Sequence, residues 1–556
     1  MCEYVAAISF RGPGKNSTGW LPRPSPPKGI EHGEIPVADI VLINPQFAMS
    51  YWGLDHALPL FGKRANMPVA SLPLLAALTP APHTMALIDE NIEPIDWNRC
   101  ARADMVGVTG LSVQRFRMKE ILLNLKQLGC FTLVGGPWIS VQEDFFGDLA
   151  DVIFIGEAEE TWPRFLDEWV QKKHQGRYEQ AEKSDMSKVP TPRFDLLKSQ
   201  HYLFGSLQFS RGCPFQCEFC DIIVTFGRRP RIKTSAQIIA ELEAIRRQGM
   251  ALVFIVDDNL IGNKKAIKQV LRDIRTWQQD NGYPMCFFTE ASIDLADDPE
   301  LMRLMVEINI AVVFIGIESP NEASLRETKK FQNLRTGGTL LEKVHRIQRA
   351  GMDVSCGMIL GFDNDDAGIF DAQRQFIRDS RITSTMIGML HAVPKTPLYS
   401  RLAAAGRLDP DDPPPFGTNV IPLKIGREEL RDGYVAVLND LYEPEAYFDR
   451  LDELLLTEKI KLGNCNCPEY WKKHPWTNIK KQAWEWAQGW GLYLRLMWSV
   501  PDKNLRRIYK SRIWRFLKVR KESSVFLYYV IKCAMHYHAY RMAREIKTEN
   551  AFVNSF

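Results

Sequence analysis

The sequence predicts an α/β protein in which two parallel sheets are followed by a mainly helical carboxy-terminal region. From Ala38 onward, short apolar runs alternate with helical stretches, a pattern typical of parallel sheets that are covered by helices on both faces. A polar stretch ending in Pro190-Thr191-Pro192 divides this alternation into two series. After about Asp411 the strand signal fades, and helical, aromatic-rich sequence takes over. At 556 residues the chain is too long for one core, which also predicts several domains.

The composition is that of an ordinary globular protein, with 45% hydrophobic and 25% charged residues. A net charge of +3 does not indicate nucleic acid as a partner. The first ten residues lack the basic and long apolar segments of a secretory signal, and no apolar run is long enough to span a membrane. Because eleven cysteines, an odd number, do not suggest a disulfide framework, we expect a cytoplasmic protein.

The first series of strands occupies residues 37–180, after a segment, 1–36, that is rich in Pro, Gly and Ser and is predicted to be flexible. Each strand of this series ends in small or turn-forming residues, such as Gly135-Gly136-Pro137. Ligands of open parallel sheets bind at such carboxyl ends, where glycine lets a ligand approach the backbone. The predicted strands are Ile40–Ile43, Thr84–Asp89, Met105–Thr109, Thr132–Gly135 and Val152–Ile155.

The second series, residues 195–405, predicts six strands that are separated by helices. Six such units suit a partial βα barrel, in which reactive groups lie at the carboxyl ends of the strands. The remaining residues, 411–556, are predicted to form a helical domain. The six strands are predicted at Ser206–Ser210, Leu252–Val256, Cys286–Thr289, Val312–Ile317, Val354–Leu360 and Thr385–His391.

Three cysteines, Cys213, Cys217 and Cys220, follow the first strand of the second series in a C-x3-C-x2-C pattern. Three thiolates on one loop can hold three irons of a [4Fe-4S] cluster and leave the fourth iron open for a ligand. A structural zinc site would need a fourth Cys or His nearby, and neither occurs between His201 and Cys286. The pattern therefore predicts an iron–sulfur cluster with one open iron.

The cysteine pattern, with the aromatic Phe219 before its last Cys, resembles the radical S-adenosylmethionine (SAM) enzymes. The resemblance implies that the open iron binds the amino and carboxylate groups of SAM. One electron, from a donor such as flavodoxin or ferredoxin, then cleaves SAM to methionine and a 5'-deoxyadenosyl radical.

The turns of the first series, directly upstream of this cluster, resemble the Rossmann-like cobalamin-binding domain of the cobalamin-dependent branch of these enzymes. Many such domains carry D-x-H-x-x-G, whose His binds cobalt, but Asn91 stands at that position here. His56 and His83 lack the motif context, so we expect cobalamin without a protein imidazole ligand. The resemblance implies the cobalamin contacts Asn44, Pro45, Asp89, Asn91, Thr109, Ser112, Gly135, Gly136, Pro137, Gly156 and Glu157.

Polar and backbone groups at the ends of the later strands are implied as SAM contacts. Acidic groups after the second strand could accept hydrogen bonds from the methionine ammonium, although Asp and Asn suit a helix N-cap equally well. A carboxylate after the third or fourth strand could bind the ribose, the alternative being a structural ion pair with a barrel arginine. The implied contacts are Phe219, Asp257, Asp258, Asn259, Glu290, Ser292, Glu318, Ile359 and Gly361.

Three further cysteines are not predicted to be functional. Cys356 lies on a predicted strand and is expected to be a small buried hydrophobic residue rather than a radical-quenching group. Cys465 and Cys467 have no partner thiol nearby, so no second metal site is expected. No residue of the chain is assigned to proton transfer or nucleophilic catalysis.

Runs such as Tyr51-Trp52-Gly53 and Gly62-Lys63-Arg64 are similar to a subgroup of these enzymes that contains the hopanoid C-2 methylase. The implied activity is methylation of an unactivated carbon of a small-molecule or lipid-like substrate, through the 5'-deoxyadenosyl radical and methylcobalamin. An oxidative ring closure or rearrangement with the same cofactors remains an alternative, as in the anaerobic tetrapyrrole cyclase. A non-catalytic cobalamin and iron–sulfur sensor is a third hypothesis.

The segment from Leu494 to Lys547 mixes Arg and Lys with many aromatic residues. Basic helices with aromatic anchors can lie on an anionic membrane surface, which would fit a lipid substrate. Ordinary packed helices with a solvated face are the alternative. Nucleic-acid binding is not expected, because the positive charge is confined to this segment.

Overall fold

The computed structural model describes residues 37–334, 337–414, 416–462 and 467–549. The segment 1–36, which we predict to be flexible, and Cys465 lie outside the described residues. The described chain contains two six-stranded parallel sheets, and helices make up most of the chain after residue 426. This arrangement confirms the predicted α/β class, with two parallel sheets and a helical carboxy-terminal region.

The first sheet has the strand order β2-β1-β3-β4-β5-β6, and all its pairs are parallel. The five predicted strands are present, whereas β6 has no clear sequence signal because only its central residue, Tyr178, is buried. The strands are β1 Asp39–Asn44, β2 Thr84–Asp89, β3 Met105–Thr109, β4 Thr132–Gly135, β5 Val152–Ile155 and β6 Arg177–Glu179. The helices are α1 Leu58–Phe61, α2 Ser71–Leu78, α3 Trp97–Arg102, α4 Arg115–Gln127, α5 Pro137–Val141 and α6 Thr161–Val170.

The second sheet has the order β14-β13-β12-β11-β10-β7, again with parallel pairs only, and β7 and β14 form its two edges. A two-stranded antiparallel ribbon, β8 with β9, follows the first strand. The strands are β7 Gly205–Leu207, β8 Ser210–Arg211, β9 Arg231–Ile232, β10 Leu252–Ile255, β11 Cys286–Ala291, β12 Ile310–Glu318, β13 Asp353–Leu360 and β14 Ser384–Met389. The helices are α7 Ile222–Thr225, α8 Ser235–Arg247, α9 Lys264–Asp280, α10 Pro299–Glu307, α11 Glu322–Glu327, α12 Leu340–Ala350, α13 Ile369–Ser380 and α14 Pro397–Ala404.

The first strand of the second sheet is shorter than the sequence predicts. It ends at Leu207, because the carboxylate of Asp257 accepts hydrogen bonds from the backbone N–H groups of Phe209 (2.7 Å) and Ser210 (2.8 Å). These two donors are therefore not available to the sheet. The chain leaves β7 and enters the ribbon that leads to the cysteine motif.

The carboxy-terminal helices share one hydrophobic core with the second sheet. Tyr447, Tyr509 and Tyr529 are fully buried at the centre of this helical region, around His536. None of the helices among the described residues is both long and apolar enough to cross a membrane. The helices are α15 Arg427–Leu441, α16 Pro444–Asp452, α17 Pro468–Lys473, α18 Pro475–Ser499, α19 Lys503–Val519 and α20 Ser523–Glu549, with one π-helical turn at Glu453–Thr457.

The segment after β1 connects the two sheets. Its Trp52 ring lies 5.2 Å from the ring of Phe314 on β12, and also contacts Phe288 on β11 and Phe254 on β10. These aromatic contacts, with Tyr51 in the same core, tie the first region to the second sheet. The two sheets are thus held by apolar packing as well as by the ion pairs described below.

Candidate functional site

The cysteine loop is shaped by glycine. Gly212 has φ +96°, and a Cβ atom there would lie 2.9 Å from the carbonyl oxygen of Gly227, so a larger residue would not fit. The backbone N–H of Cys213 donates to the same carbonyl at 3.2 Å, and the N–H of Cys220 donates to the carbonyl of Cys217 at 3.2 Å. These contacts fold the chain back so that all three thiols belong to one compact loop.

Amide donors from distant parts of the chain reach two of the thiols. The side-chain N–H of Gln332 lies 3.4 Å from the Sγ atom of Cys217, and that of Asn259 lies 3.9 Å from the Sγ atom of Cys213. Burial raises the pKa values of Cys213 and Cys220, so these thiols need a cation or metal to become thiolates. Hydrogen bonds to cluster sulfurs are a common means of tuning iron–sulfur centres.

The three thiols do not meet at the distance of a single ion. Within the described residues, no group of three or more His, Cys, Asp or Glu side chains converges on one such point. In a [4Fe-4S] cluster each thiolate binds a different iron, so convergence on one point is not required. Cys467, which we considered for a second site, instead lies 3.5 Å from the carbonyl oxygen of Glu307.

A buried ion pair lies next to the cysteine loop. The ammonium of Lys330 is 2.7 Å from Glu318, at the end of β12, and 5.8 Å from the ring of Phe219. Burial opposes the charge of Lys330, but Glu318 and the nearby thiols raise the pKa of Lys330 above its ordinary value. Gly316 leaves room for the pair, since a Cβ atom there would lie 2.3 Å from Glu318. The partner of Glu318 is therefore a lysine, not the barrel arginine considered above.

The polar run after β10 supports the cysteine loop. Asp257 uses both carboxylate oxygens on the backbone at Phe209 and Ser210, and Asp258 accepts a hydrogen bond from the N–H of Gly212 at 3.2 Å. Burial raises the pKa of Asp257 to about 7 and that of Asp258 to about 6. Asp257 and Asp258, which we predict as SAM contacts, thus hold the cysteine loop in place through hydrogen bonds to its backbone.

Asn259 and Ser292 form a bridge from the cysteine loop to the end of β11. The side-chain oxygen of Asn259 accepts a hydrogen bond from the N–H of Ser292 at 3.2 Å, and its amide N–H points to Cys213. The hydroxyl of Ser292 also lies 2.5 Å from Asp294. Both predicted residues thus lie at the edge where the thiols are found.

Glu290 differs from its neighbours because no hydrogen-bond donor contacts its carboxylate among the described residues. Burial raises the pKa of Glu290 to about 8, and the nearby carboxylates of Asp258, Asp257 and Glu318 contribute to the increase. Glu290 is only partly buried, and a carboxylate without a protein donor is free to bind a ligand or water. Glu290 is therefore the best-placed predicted side chain for contact with a bound ligand.

The last predicted SAM contacts lie beside β13. Ile359 is buried, and its carbonyl accepts a hydrogen bond from Gln373 at 2.8 Å. Gly361 follows the strand with φ +100°, and its N–H donates to Asp365 at 3.0 Å. Cys356 on the same strand is fully buried, as expected of a small hydrophobic residue.

A cavity of about 410 Å³ opens at the carboxyl edge of the first sheet. Gly136, with φ +102°, and Gly156, with φ +81°, present backbone without side chains at the cavity wall. A Cβ atom at Gly136 would lie 2.5 Å from the hydroxyl of Thr109, so the close approach requires glycine. Seven predicted cobalamin contacts line the cavity: Asn44, Thr109, Gly135, Gly136, Pro137, Gly156 and Glu157.

The other four predicted cobalamin contacts do not line this cavity. Asn91 donates to Asp89 (2.6 Å) and accepts from the N–H of Phe47 (2.9 Å), so its amide closes a turn. The second carboxylate oxygen of Asp89 accepts a hydrogen bond from Tyr202 at 2.8 Å. The backbone carbonyl of Pro45 accepts hydrogen bonds from the side chains of Gln114 and Asn91, and that of Ser112 accepts one from Arg115. These residues stabilise the turns behind the cavity wall.

The two histidines of the first region are engaged elsewhere. His56 lies 3.0 Å from Glu545 on α20, and His83 accepts a hydrogen bond from the N–H of Ala38 at 3.0 Å. No histidine is among the described residues that line the cavity. That neither His56 nor His83 binds cobalt stays a prediction.

A buried cluster of charges joins the cavity to the cysteine loop. Glu157, at the cavity wall, pairs with Arg211 (3.1 Å) and Arg231 (2.7 Å), and Arg211 also pairs with Glu159 (2.6 Å). Although burial opposes ionisation, the two arginines lower the pKa of Glu157. Because Arg211 lies two residues before Cys213, the cavity and the cysteine loop share one wall.

Sequence reasoning did not identify four residues of this site, namely Lys330, Gln332, Arg211 and Arg231. Gln332 lies 115 residues from Cys217 along the chain, so no local spacing reveals their contact. The two arginines lie within runs that resemble the family, but nothing in the sequence shows that a carboxylate of the first region pairs with them. The sequence signal that could have indicated Arg211 is its charge directly before the cysteine motif.

Together, the cysteine loop after the first strand of a parallel six-stranded sheet and the buried carboxylates at that edge define a radical SAM enzyme. The model of the radical SAM superfamily matches residues 207–371, and a domain of unknown function, DUF4070, matches residues 396–551. The first match begins at the last residue of β7 and covers the cysteine loop and four of the six strands of the second sheet, β10 to β13. The second covers the helical region.

Whole-length relatives identify the family. The chain is 36% identical over 518 residues to an uncharacterized methyltransferase of Synechocystis sp., covering 92% of each chain. It is 31% identical over 483 residues to the hopanoid C-2 methylase of Rhodopseudomonas palustris, covering 86% of this chain and 88% of the relative. The chain belongs to the radical SAM methyltransferases, in the family of the hopanoid C-2 methylase.

Two solved structures share the fold at low sequence identity. The cobalamin-dependent radical SAM enzyme OxsB, solved with aqua-cobalamin bound, has a TM-score of 0.54 at 15% identity and covers 94% of this chain and 82% of its own. The methyltransferase TsrM of Kitasatospora setae, solved with cobalamin and a [4Fe-4S] cluster, has a TM-score of 0.52 at 16% identity, covering 66% and 75%. The likeness concerns the fold, over 94% of this chain for OxsB and 66% for TsrM.

Proposed function

We propose that this protein is a cobalamin-dependent radical SAM methyltransferase that methylates an unactivated carbon of a lipid-like small molecule. The observation that carries the proposal is the shared wall of the cavity and the cysteine loop. Glu157, Arg211 and Arg231 connect a glycine-lined cavity on one sheet to three thiols on the other. Two cofactors bound at these places would lie on either side of a single buried ion-pair cluster.

Cys213, Cys217 and Cys220 are the proposed ligands of a [4Fe-4S] cluster. The donor set fits, since three cysteines lie on one loop and amides of Asn259 and Gln332 point at two of the sulfurs. When bound, the cluster supplies the electron that cleaves SAM, and cobalamin supplies the methyl group. An electron donor such as flavodoxin or ferredoxin is part of this proposal.

The chain's own contribution near the thiols is to orient SAM and exclude water. Glu290 offers a half-buried carboxylate without a donor, which suits a ribose hydroxyl or the cationic portion of SAM. The Lys330–Glu318 pair holds a positive charge next to the thiols and so favours their thiolate forms. Asp257 and Asp258 fix the loop through backbone N–H groups.

The cavity of the first sheet is the proposed cobalamin site. Its wall fits a large ligand, because Gly136 and Gly156 present backbone where other residues would project side chains. We propose that cobalt takes no protein imidazole here, since the residue in the usual position, Asn91, has both ends of its amide engaged. The chain would then hold cobalamin through shape and backbone contacts.

The relatives support a lipid-like or polycyclic substrate. Besides the hopanoid C-2 methylase, a bacteriochlorophyllide d C-8(2)-methyltransferase of Chlorobaculum tepidum is 22% identical over 427 residues, covering 74% of this chain. The substrates named for these two proteins, a hopanoid and a bacteriochlorophyllide, both have large apolar ring systems. We propose a substrate of the same chemical kind, methylated at a carbon that carries no activating group.

The test is anaerobic incubation of the reconstituted protein with a strong reductant, SAM carrying a deuterated methyl group, and a lipid extract. The proposal expects 5'-deoxyadenosine together with a lipid that carries the deuterated methyl group. Formation of 5'-deoxyadenosine and an altered lipid without label would favour the ring-closure alternative. If Cys217→Ala and the wild-type protein behave identically and neither forms 5'-deoxyadenosine, the enzyme proposal is wrong and a sensor is favoured.

A further inference from the structure

One face of α18 exposes a stripe of large apolar side chains. Trp498 is 87% exposed and Trp476 is 77% exposed, at opposite ends of the helix. The aromatic stripe comprises Trp476, Ile479, Trp484, Leu494 and Trp498, each more than half exposed. Soluble proteins rarely leave contiguous apolar surface of this kind without a function.

The stripe follows the helical repeat. Trp476, Trp484, Leu494 and Trp498 fall on one side of the helix at about 3.6 residues per turn, and the 25-residue helix is about 37 Å long. Along this face the residues between them are the small Ala483, Ala487 and Gly491, which leave the large side chains projecting, and one exposed cation, Lys480.

The opposite face of α18 is firmly packed, so the exposure does not reflect a loosely attached helix. Leu492 and Leu496 are buried in the core of the helical region. Gly489 lies against α20, where an added Cβ atom would come within 2.6 Å of the ring of Phe526. The helix therefore buries one apolar face in the protein and presents a second one to solvent.

Positive charge surrounds this stripe. Residues 468–521 contain fourteen Lys and Arg but only three Asp and Glu, whereas the whole chain has a net charge of only +3. On α19, next to the stripe, Trp514 is 49% exposed, and its ring lies 6.3 Å from that of Trp490 on α18. Four cations share the outward face of α19 with Trp514, and no carboxylate pairs with them among the described residues: Lys503, Arg507, Lys510 and Lys518.

We propose that the aromatic stripe and the basic face of α19 form a docking surface for an anionic phospholipid bilayer. Tryptophan favours the membrane–water interface because its ring is apolar and its N–H is polar. Lysine and arginine beside it are attracted to acidic headgroups. This inference does not depend on the proposed chemistry, although a bilayer is where a lipid-like substrate would be found.

A bilayer fits the surface better than the other partners do. A second copy of the chain would bring two cationic faces together, which costs free energy by like-charge repulsion. Nucleic acid would use the cations but would leave most of the apolar stripe in water, because direct phosphate contacts need charge rather than apolar area. Only an interface that is apolar inside and anionic outside matches both halves of the surface.

The test is flotation of the full-length protein with vesicles of phosphatidylcholine alone or of phosphatidylcholine mixed with phosphatidylglycerol. We expect binding to the anionic vesicles, weakened by high salt, and little binding to the neutral ones. The double variant Trp476→Ala/Trp498→Ala should lower the partition coefficient about tenfold or more. Leu423→Ala, which removes a side chain that is 63% exposed elsewhere, is the matched control and should bind like the wild type.

A second pair of variants tests the charges. Arg507→Glu/Lys510→Glu should weaken binding to anionic vesicles by about fivefold or more per reversed cation. The same reversal at two exposed lysines outside the surface, Lys172→Glu/Lys265→Glu, should have little effect. Thermal denaturation and 5'-deoxyadenosine formation, measured on every variant, verify that each one is folded.

Three results would overturn the proposal. The first is absence of vesicle binding by the folded wild-type protein. The second is equal loss of binding in the stripe variants and in the control variants. The third is a change of oligomeric state or of nucleic-acid affinity in the Trp476→Ala/Trp498→Ala variant without any change in vesicle binding, which would assign the surface to a second copy or to nucleic acid instead.

Discussion

The two parallel sheets have the same number of strands but differ at their carboxyl edges. The first sheet ends in glycines and open space, as at Gly136 and Gly156. The second ends in thiols and ionisable side chains, among them Glu290, Glu318 and Lys330. The difference indicates two kinds of binding: the first edge suits a large preformed cofactor held by shape, and the second suits small groups oriented by charge.

The largest expected effect comes from the charged edge. Cys217→Ala leaves two cysteines for the cluster, so 5'-deoxyadenosine formation should fall to background while the protein remains folded. The measurement is chromatography of the reaction products after reduction. Cys130→Ala removes a thiol of the first region, which lies 3.6 Å from a backbone carbonyl, and should leave the product unchanged. If Cys217→Ala and Cys130→Ala form 5'-deoxyadenosine equally well, the proposed role of the second sheet's edge in the reaction is wrong.

The next largest effect comes from the glycine edge. Gly136→Val forces a side chain into a position with φ +102° and 2.5 Å from Thr109, so it should abolish methyl transfer while 5'-deoxyadenosine still forms. Mass spectrometry of the labelled lipid, with the nucleoside measured in parallel, separates the two activities. Gly129→Ala is the matched control, since Gly129 also has a positive φ but nothing within 4 Å of its added Cβ atom.

A smaller effect is expected where the two edges meet. Glu157→Gln leaves Arg211 and Arg231 with less compensating charge in a buried site, which should cost about 3 kcal/mol and lower the thermal denaturation midpoint. It should also lower the number of methyl transfers per 5'-deoxyadenosine formed, because the wall shared by the cavity and the cysteine loop becomes less rigid. Glu143→Gln breaks an exposed pair with Arg177 and should cost less than about 1 kcal/mol. Identical midpoints for the two variants would contradict the structural role of Glu157.

The smallest effect concerns pH. Because the pKa of Glu290 is raised to about 8, its carboxyl is mostly neutral at pH 7 and ionises as pH rises through 8. Its negative charge should then attract the sulfonium of SAM, so that SAM affinity rises on the order of fivefold between neutral and alkaline pH. Glu290→Gln should remove this dependence and resemble the wild type at pH 7.

Equilibrium binding of SAM across this pH range is the measurement for Glu290. Glu300→Gln, at an exposed pair on α10, should retain the wild-type pH dependence. Cobalamin retention should be the same in both variants, because neither Glu290 nor Glu300 lines the cavity of the first sheet. An identical pH dependence in the wild type and in Glu290→Gln would show that another group titrates.

Local sequence signals predicted the strands of both sheets and the cysteine loop well. Runs such as Thr84–Asp89 and Val152–Ile155 are apolar and bounded by turn residues, so their limits agree with the structure. The first strand of the second sheet was predicted too long because its end is determined by Asp257, nearly fifty residues later. A hydrogen bond between distant residues leaves no periodic signal in the sequence.

The same limit applies to the site. Residue types and spacing indicate which positions are chemically suitable, but not which are already used by the fold. Asp257, Asp89 and Asn91 are suitable as ligands, yet their polar atoms are engaged in hydrogen bonds to the chain itself. Glu290 is left without a donor, a difference that only the three-dimensional arrangement reveals.

The most direct test of the two-edge account is the iron and cobalt content of the anaerobically reconstituted protein, measured on the wild type, Cys217→Ala and Gly136→Val in parallel. The account predicts about four irons and about one cobalt per wild-type chain. Cys217→Ala should lose iron and keep cobalt, and Gly136→Val should lose cobalt and keep iron. Iron without cobalt in the wild type, or loss of both metals in either folded variant, would contradict it.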